Sequence, residues 1–184
     1  MSIFKRGTLK PETPTEPETI GRLAIIVGHS KADGGANGYF PPGKINEYTF
    51  HNSEIVPVML AEAARLGLET KVFLRDGTDI LGVGRNVSAW ADLKTVSIEL
   101  HFNSTSGAKG TLTMYDSGPM ANEKFAQIVQ DAMVKVLGRT GTPGKTGSTD
   151  RGIHLTDHGR GAHNLTSVLC VGCLVEPAFC DNTG

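Results

Sequence analysis

Five short apolar segments alternate along this chain with segments of helical periodicity, and this alternation constrains the fold more than any other feature. Each apolar segment has the length of a β-strand and ends at polar or glycine residues. The five segments are LAIIVG (23–28), TKVFLR (70–75), TVSIELH (95–101), GTLTMYD (110–116) and SVLCVGCLVE (167–176). The alternation predicts an α/β fold, a single domain with a mainly parallel, twisted sheet of about five to six strands and helices on both faces.

Three segments between these strands have apolar residues at helical spacing. In residues 53–67 the stripe is Ile55, Met59 and Ala63, and Pro57 predicts either a first-turn position or a kink. Residues 84–93 form a shorter candidate. Residues 122–138 give the clearest pattern, a stripe formed by Phe125, Ile128, Val129, Ala132, Met133 and Val136. Glycine, threonine and histidine dominate from residue 138 to about 164, which predicts a long surface loop or a set of loops.

The ends of the chain and its composition bound the kind of protein. Residues 1–21 are rich in proline and glutamate, which predicts a flexible leader before a domain at 22–184. The formal net charge of −1 gives no basic excess, so no nucleic-acid partner is expected. No apolar run approaches the roughly 20 residues of a membrane-spanning helix. The N-terminus lacks the apolar stretch of a secretory signal, so synthesis in the cytoplasm is expected.

Three cysteines are present, and an odd number argues against a scaffold built on disulfides. Cys170 and Cys173 have the spacing of a metal-binding pair. They stand within a predicted strand, however, where residues three apart point to opposite faces. Buried apolar cysteines are therefore the better interpretation.

Ionisable side chains stand where the predicted strands end. His29 follows the first strand, His101 ends the third, and Glu176 ends the fifth. Glu99, His101 and Asn103 alternate with apolar residues and so share one face of their strand. Ligands of parallel sheets bind beyond the carboxyl ends of the strands, so we expect these groups to lie close together.

A second pair of residues makes this edge a candidate metal site. Glu47 and His51 are four residues apart and would share one face if this segment is helical. Two histidines and one carboxylate bind Zn²⁺ and leave a fourth position for water, and a further carboxylate such as Glu176 can accept that water's proton. A lone histidine is more often solvated or hydrogen-bonded, and Glu47 alone fits a charge at a helix start. The hypothesis therefore rests on the combination.

These residues occur in an order that resembles the zinc-dependent N-acetylmuramoyl-L-alanine amidases of the type called amidase 3, from about Leu23 to the end. The family's strand ending in Gly-His is matched by IIVGHS, and its helix-start glutamate by NEYTF. Its two arginines are matched by FLRDG and GRNVSAWAD, and its Ser-Ile-x-His-x-Asn signature by VSIELHFNS, which has an extra residue. A weaker element resembles RGIHL, and LVEPAFCDN closely matches the strand-end glutamate.

The resemblance implies specific roles. His29, Glu47 and His101 would hold zinc, with Glu47 favoured over His51, and Glu176 would be catalytic. The reaction implied is hydrolysis of the amide between N-acetylmuramic acid and L-alanine in peptidoglycan. Residues expected to contact substrate or to support the ligands are Glu99, Asn103, Arg85 and His51.

The resemblance also implies a biological setting. A phage endolysin or similar lytic effector, monomeric and acting on the cell wall or periplasm of a bacterial host, is expected. The family usually continues with a helix after the catalytic strand, and a chain ending at Gly184 would lack it. The alternatives are another zinc-dependent peptidase or deacylase acting on a peptide, a non-catalytic cell-wall-binding domain, and an α/β protein whose polar strand ends are only hydrogen-bonded.

Overall fold

The computed structural model describes residues 19–40, 43–105, 107–159 and 161–180. Eight strands and five α-helices alternate through them. The strands are β1 (Arg22–Val27), β2 (Asn37–Phe40), β3 (Gly43–Asn46), β4 (Glu69–Phe73), β5 (Thr95–Leu100), β6 (Thr111–Tyr115), β7 (Asp150–Leu155) and β8 (Val171–Glu176). The helices are α1 (Glu47–Phe50), α2 (Val56–Arg65), α3 (Ile80–Trp90), α4 (Ala121–Val136) and α5 (Ala162–Thr166), and a π-helical turn (His51–Ile55) joins α1 to α2.

Six of these strands form one sheet in the order β4-β1-β5-β8-β6-β7. Neighbouring strands run parallel except β6 and β8, which are antiparallel. Strands β2 and β3 form a separate antiparallel pair that leads directly into α1. The prediction of a single α/β domain with a mainly parallel sheet of five to six strands is confirmed.

Helices cover both faces of the sheet. Residues of α2 and α4 pack on one face with Ile25 and Val27, whereas Val83 and Val87 of α3 pack on the other with Ile26. The register pairs Ile26 with Glu99, so the polar residues of β5 lie on the face that α3 and α5 cover. Polar groups on a covered face need partners, and the buried carboxylate of Glu99 on this face therefore requires an explanation.

The helix before β4 starts earlier than the sequence predicts. It begins at Glu47, where the side chain of Asn46 accepts the Thr49 N–H at 2.8 Å, and it reaches α2 through the π-helical turn. Pro57 lies in the first turn of α2, which is the first of the two possibilities that the sequence left open. Likewise α3 starts at Ile80 rather than residue 84, because Asp79 caps its first turn through the Gly82 N–H at 2.6 Å.

The prediction of a long loop from 138 to 164 is wrong, because β7 and α5 lie within it. Strand β7 stands at the edge of the sheet and pairs with β6 through a register shift between Thr111 and Thr113. Gly152 within β7 has φ of 74°. A shifted register and a left-handed glycine break the alternation by which a strand is recognised in sequence.

The buried face of α4 also differs from the predicted stripe. Ile128 and Val136 are 58% and 82% exposed, whereas Asn122, Ala126 and Gln130 are buried. Two buried polar side chains replace apolar ones because they bond to the sheet. Asn122 bonds to Asp116 and to the Gly172 N–H.

The structure tests two of three remaining expectations, on the leader, the cysteines and membrane-spanning helices. The predicted leader falls mainly on residues 1–18, which lie outside the described residues, so the domain boundary stays a prediction. The three cysteines are buried and free. No helix among the described residues is long and apolar enough to cross a membrane.

Gln130 generates a test of how α4 is attached. Its side chain bonds to the hydroxyl of Thr113, the carbonyl of Thr111 and Oδ1 of Asp150, at 2.8, 3.0 and 2.8 Å. Gln130→Ala leaves these partners unsatisfied, so we expect urea denaturation to show a loss of about 3 kcal/mol. Gln127→Ala, on the exposed face of α4, is the matched control and should change stability by less than about 0.5 kcal/mol. Equal effects would show that the three bonds do not stabilise the domain.

Candidate active site

Two histidines and a glutamate meet at the carboxyl ends of β1 and β5. His29 follows β1, His101 follows β5, and Glu47 is the first residue of α1. One nitrogen or oxygen from each of these three lies within 4.8 Å of the other two. The structure therefore brings together the three residues that the sequence predicted as metal ligands.

Glu47 is the centre of this group. It is 1% exposed, and its Oε1 lies 2.9 Å from His101 Nδ1 while its Oε2 lies 3.4 Å from His29 Nε2. Its two oxygens also accept the backbone N–H groups of Phe102 and Ala36, at 2.8 and 3.0 Å. Burial acts to raise the pKa of Glu47, but the hydrogen bond and charge of His101, the charge of His29 and the Phe102 N–H lower it below its ordinary value. Glu47 is therefore held as a carboxylate.

His101 lies between two carboxylates. Its Nδ1 faces Glu47, and its Nε2 lies 2.9 Å from Oε1 of Glu99, which also accepts a hydrogen bond from the side chain of Asn164. Burial disfavours the charged ring, but the two glutamates outweigh it and raise the pKa of His101 to about 9. Gly28 makes room for the ring, since a Cβ there would clash with Cε1 of His101.

His29 is held in an unusual backbone conformation. Its φ of 65° is in the left-handed region, and among the described residues it is the sole non-glycine residue with positive φ. Its Nδ1 bonds to Oδ2 of Asp33 at 2.9 Å, and this bond lowers the pKa of Asp33. Backbone strain of this kind, which costs of order 1–3 kcal/mol, clusters at functional sites. In this left-handed conformation Nε2 of His29 faces Glu47.

Glu176 ends β8, the strand next to β5. The His101 N–H donates to the Val175 carbonyl at 2.9 Å, so Glu176 and His101 are neighbours across the two strand ends. Glu176 is buried, and the side-chain amide of Asn103 donates to its Oε2. The predicted catalytic carboxylate thus lies beside the candidate ligands and is fixed by Asn103.

Two predicted site residues lie outside this group. His51 is buried in the π-helical turn and stacks on Phe102 at 4.5 Å between ring centroids. Burial lowers the pKa of His51 to about 4, and its Nδ1 has no hydrogen-bond partner among the described residues. Arg85 is exposed on α3, and its guanidinium is 3.9 Å from Asp79. Arg85 is thus exposed and lies outside the group of three candidate ligands, and its predicted role in contacting substrate stays a prediction.

Sequence reasoning missed two residues that support the histidines. Asp33 stands four residues after His29 in a glycine-rich loop, and that spacing is the one signal that could have identified it. Asn164 lies on α5, in the segment interpreted as loop, and bonds to Glu99 across 65 residues of sequence. No local pattern marks a contact of that separation.

The donor set fits a divalent transition metal. Nitrogen from two histidines and oxygen from one carboxylate are the ligands of catalytic zinc sites. The other nitrogen of each ring bonds to a carboxylate, Asp33 for His29 and Glu99 for His101. Such bonds fix the tautomer and orientation of metal-binding histidines. Residues His29, Glu47 and His101 can therefore hold a metal ion.

Comparison with known proteins points to one family. Residues 23–184 match the family model described as N-acetylmuramoyl-L-alanine amidase. No curated protein matches the chain.

Solved structures of several such enzymes share the fold. The catalytic domain of CwlV, N-acetylmuramoyl-L-alanine amidase from Bacillus (Paenibacillus) polymyxa var. colistinus, has a TM-score of 0.66 at 22% identity, over 88% of this chain and 82% of that one. The N-acetylmuramoyl-L-alanine amidase from Clostridium difficile 630 has a TM-score of 0.65 at 17% identity, over 88% and 81%. The putative amidase from Neisseria meningitidis has a TM-score of 0.58 at 22% identity, over 90% and 84%.

The raised pKa of His101 generates a prediction for the metal-free protein. Because the folded-state pKa is about 9 against 6.5 for an ordinary histidine, the stability that its proton supplies is complete below pH 6.5 and is lost as pH rises to 9. We expect urea denaturation in chelator to show the free energy of unfolding falling by up to about 3 kcal/mol across that window. His101→Gln should remove this slope, and a flat wild-type profile would contradict the assignment.

Proposed function

This chain belongs to the N-acetylmuramoyl-L-alanine amidase family and is a peptidoglycan amidase, and from that premise we propose which residues perform the reaction. The ion is Zn²⁺, held by His29, Glu47 and His101, and Glu176 is the general base. The bond cleaved is the amide between N-acetylmuramic acid and L-alanine. The observation that carries the proposal is the approach of three ligand atoms to within 4.8 Å beside the buried carboxylate of Glu176.

Zinc bound there would supply Lewis-acid chemistry, lowering the pKa of water and polarising the amide carbonyl. Glu47 contributes the negative charge of the ligand set, and the N–H groups of Phe102 and Ala36 fix its two oxygens. His29 offers Nε2 and His101 offers Nδ1, because their other nitrogens bond to Asp33 and Glu99.

Glu176 carries the proton transfers in this mechanism. Its carboxylate accepts a proton from the attacking water and then gives it to the nitrogen of the departing L-alanine, which breaks the amide bond. Asn103 donates to Oε2 of Glu176, and this bond directs the carboxylate. We assign Asn103 a positioning role.

Glu99 positions His101. It is buried, its Oε1 lies 2.9 Å from Nε2 of His101, and the Asn164 amide donates to the same oxygen. This arrangement keeps the proton on Nε2 and leaves Nδ1 for the ion. Helix α5 is thereby linked to the site through Asn164, although it supplies no ligand.

The lytic role is a separate and finer proposal. We propose that the enzyme acts as an endolysin, as a monomer, and reaches the cell wall through a lesion in the membrane. Expression in a bacterial host with and without a holin tests this, since only the combination should lyse the culture.

The roles of Glu176 and His101 separate in two variants. Glu176→Gln keeps an oxygen for the Asn103 amide but cannot accept a proton, so we expect one equivalent of zinc and a 100- to 10,000-fold loss of activity. His101→Ala removes a ligand, so both zinc and activity should be lost. Metal analysis and release of stem peptide from muropeptides measure the two effects.

Wild type and Arg65→Gln are the controls for this experiment, because Arg65 lies exposed on α2 and pairs with Glu62. Near-normal activity of Glu176→Gln would remove Glu176 from the mechanism. A wild-type protein that is active in chelator and holds no metal would refute the zinc proposal.

Glu99 can be tested through metal affinity. In Glu99→Gln the side chain keeps its size but loses the charge that orients His101, so we expect zinc affinity to fall 10- to 100-fold. Competition with a chromophoric chelator measures it. Glu54→Gln, which changes an exposed glutamate, should leave the affinity unchanged. Unchanged affinity in Glu99→Gln would show that Asn164 and packing alone orient the ring.

A further inference from the structure

A cationic cleft lies beside β7, at the edge of the sheet. Its volume is about 240 Å³, and its lining residues are Gly144, Lys145, Ser148, Asp150, Arg151 and His154. Asp150 is the acidic residue of this lining, and its Oδ1 already accepts hydrogen bonds from the Gln130 side chain and the Gly152 N–H. Lys145 and Arg151 outnumber this one carboxylate, so the lining has a net positive charge that an anion would complement.

Arg151 is held in a fixed orientation within this cleft. Its guanidinium carbon lies 4.7 Å from the centre of the Phe179 ring, and its Nε donates to the Lys109 carbonyl at 3.0 Å. Stacking and one hydrogen bond fix the plane of the guanidinium. Neither Nη group forms an ion pair with a described residue, so the outer edge of the fork is available to a ligand.

Phe179 connects this arginine to the proposed reaction centre. It forms a backbone bridge with Asn103, whose side-chain amide donates to Glu176. Phe179 also follows Glu176 by three residues, which is at most about 10 Å of extended chain. One aromatic ring thus separates the guanidinium from the residue that positions the general base. A substrate whose amide lies at Glu176 and whose peptide extends along Phe179 would therefore meet Arg151.

We propose that Arg151 binds a free carboxylate on the stem peptide of the substrate, beyond the bond that is cleaved. This inference rests on the proposed function, because it requires the muramoyl amide to lie beside Glu176. The stem peptide carries a carboxylate on its second residue when that residue is D-glutamate, and a neutral carboxamide when it is D-isoglutamine. A guanidinium fork binds the two oxygens of a carboxylate and discriminates against the carboxamide, which has one acceptor and no charge.

Two synthetic substrates test the assignment: N-acetylmuramoyl-L-alanyl-D-glutamate and N-acetylmuramoyl-L-alanyl-D-isoglutamine. We expect zinc-loaded wild type to have a kcat/KM about 10- to 100-fold higher for the free carboxylate, the range of a charge-assisted contact. Arg151→Gln should lower this ratio to near one, chiefly by lowering kcat/KM for the D-glutamate substrate. Arg151→Lys, which keeps the charge without the fork, should retain part of the preference. Arg65→Gln, an exposed arginine elsewhere, should retain all of it.

The outcomes separate this inference from the function on which it rests. A wild type that cleaves both substrates equally overturns the carboxylate site and leaves the amidase intact. An Arg151→Gln variant that loses activity equally on both substrates shows that Arg151 only supports Phe179, and also overturns it. A zinc-loaded wild type that cleaves neither substrate overturns the proposed function, and the inference falls with it.

Discussion

The buried carboxylate of Glu47 is the interaction on which the site depends. A charge that is 1% exposed must be compensated, and here two histidines and two backbone N–H groups do so. These partners come from the ends of β1 and β5 and from the segment before β2. Removing any of them would leave charge uncompensated, at a cost of several kcal/mol. The same contacts that satisfy Glu47 therefore hold three separate parts of the chain together around it.

A proton on His101 and a metal ion bound at this site would both neutralise the negative charge of the surrounding carboxylates. Glu47, Glu99 and Asp33 surround two imidazoles, and the negative charge around His101 is what raises its pKa to about 9. In the metal-free protein the proton on Nδ1 neutralises part of this charge. A divalent ion must displace that proton, so metal affinity would rise with pH over the neutral range.

Much of this arrangement could be predicted from sequence because it depends on local order. The strands at 23–28, 95–101 and 167–176 show their apolar character directly, and the residues that follow them define the edge where ligands gather. His29 and His101 could be identified for that reason, whereas Glu47 was favoured over His51 by the family resemblance. The roles assigned to these residues and to Glu176 stay proposals.

What sequence could not reveal depends on contacts between distant segments. Strand β7 was missed because its pairing with β6 is irregular and because Gly152 interrupts its pattern. Gln130 occupies the buried face of α4 because Thr111, Thr113 and Asp150 are there to bond it, and periodicity cannot foresee that. Arg85 matched a family element but faces solvent.

The π-helical turn at His51–Ile55 lies between Glu47, which faces the two histidines, and α2, which packs on the core. In an α-helix each residue advances by about 100°, so the one extra residue in a wider turn offsets everything beyond it by that angle. Glu47 can therefore aim at the histidines while Ala63, further along, aims at the core. The turn thereby sets the angle between the direction of the Glu47 side chain and the buried face of α2. Deleting one residue from this turn would rotate Glu47 by about 100° relative to the buried face of α2 and turn its carboxylate away from the histidines.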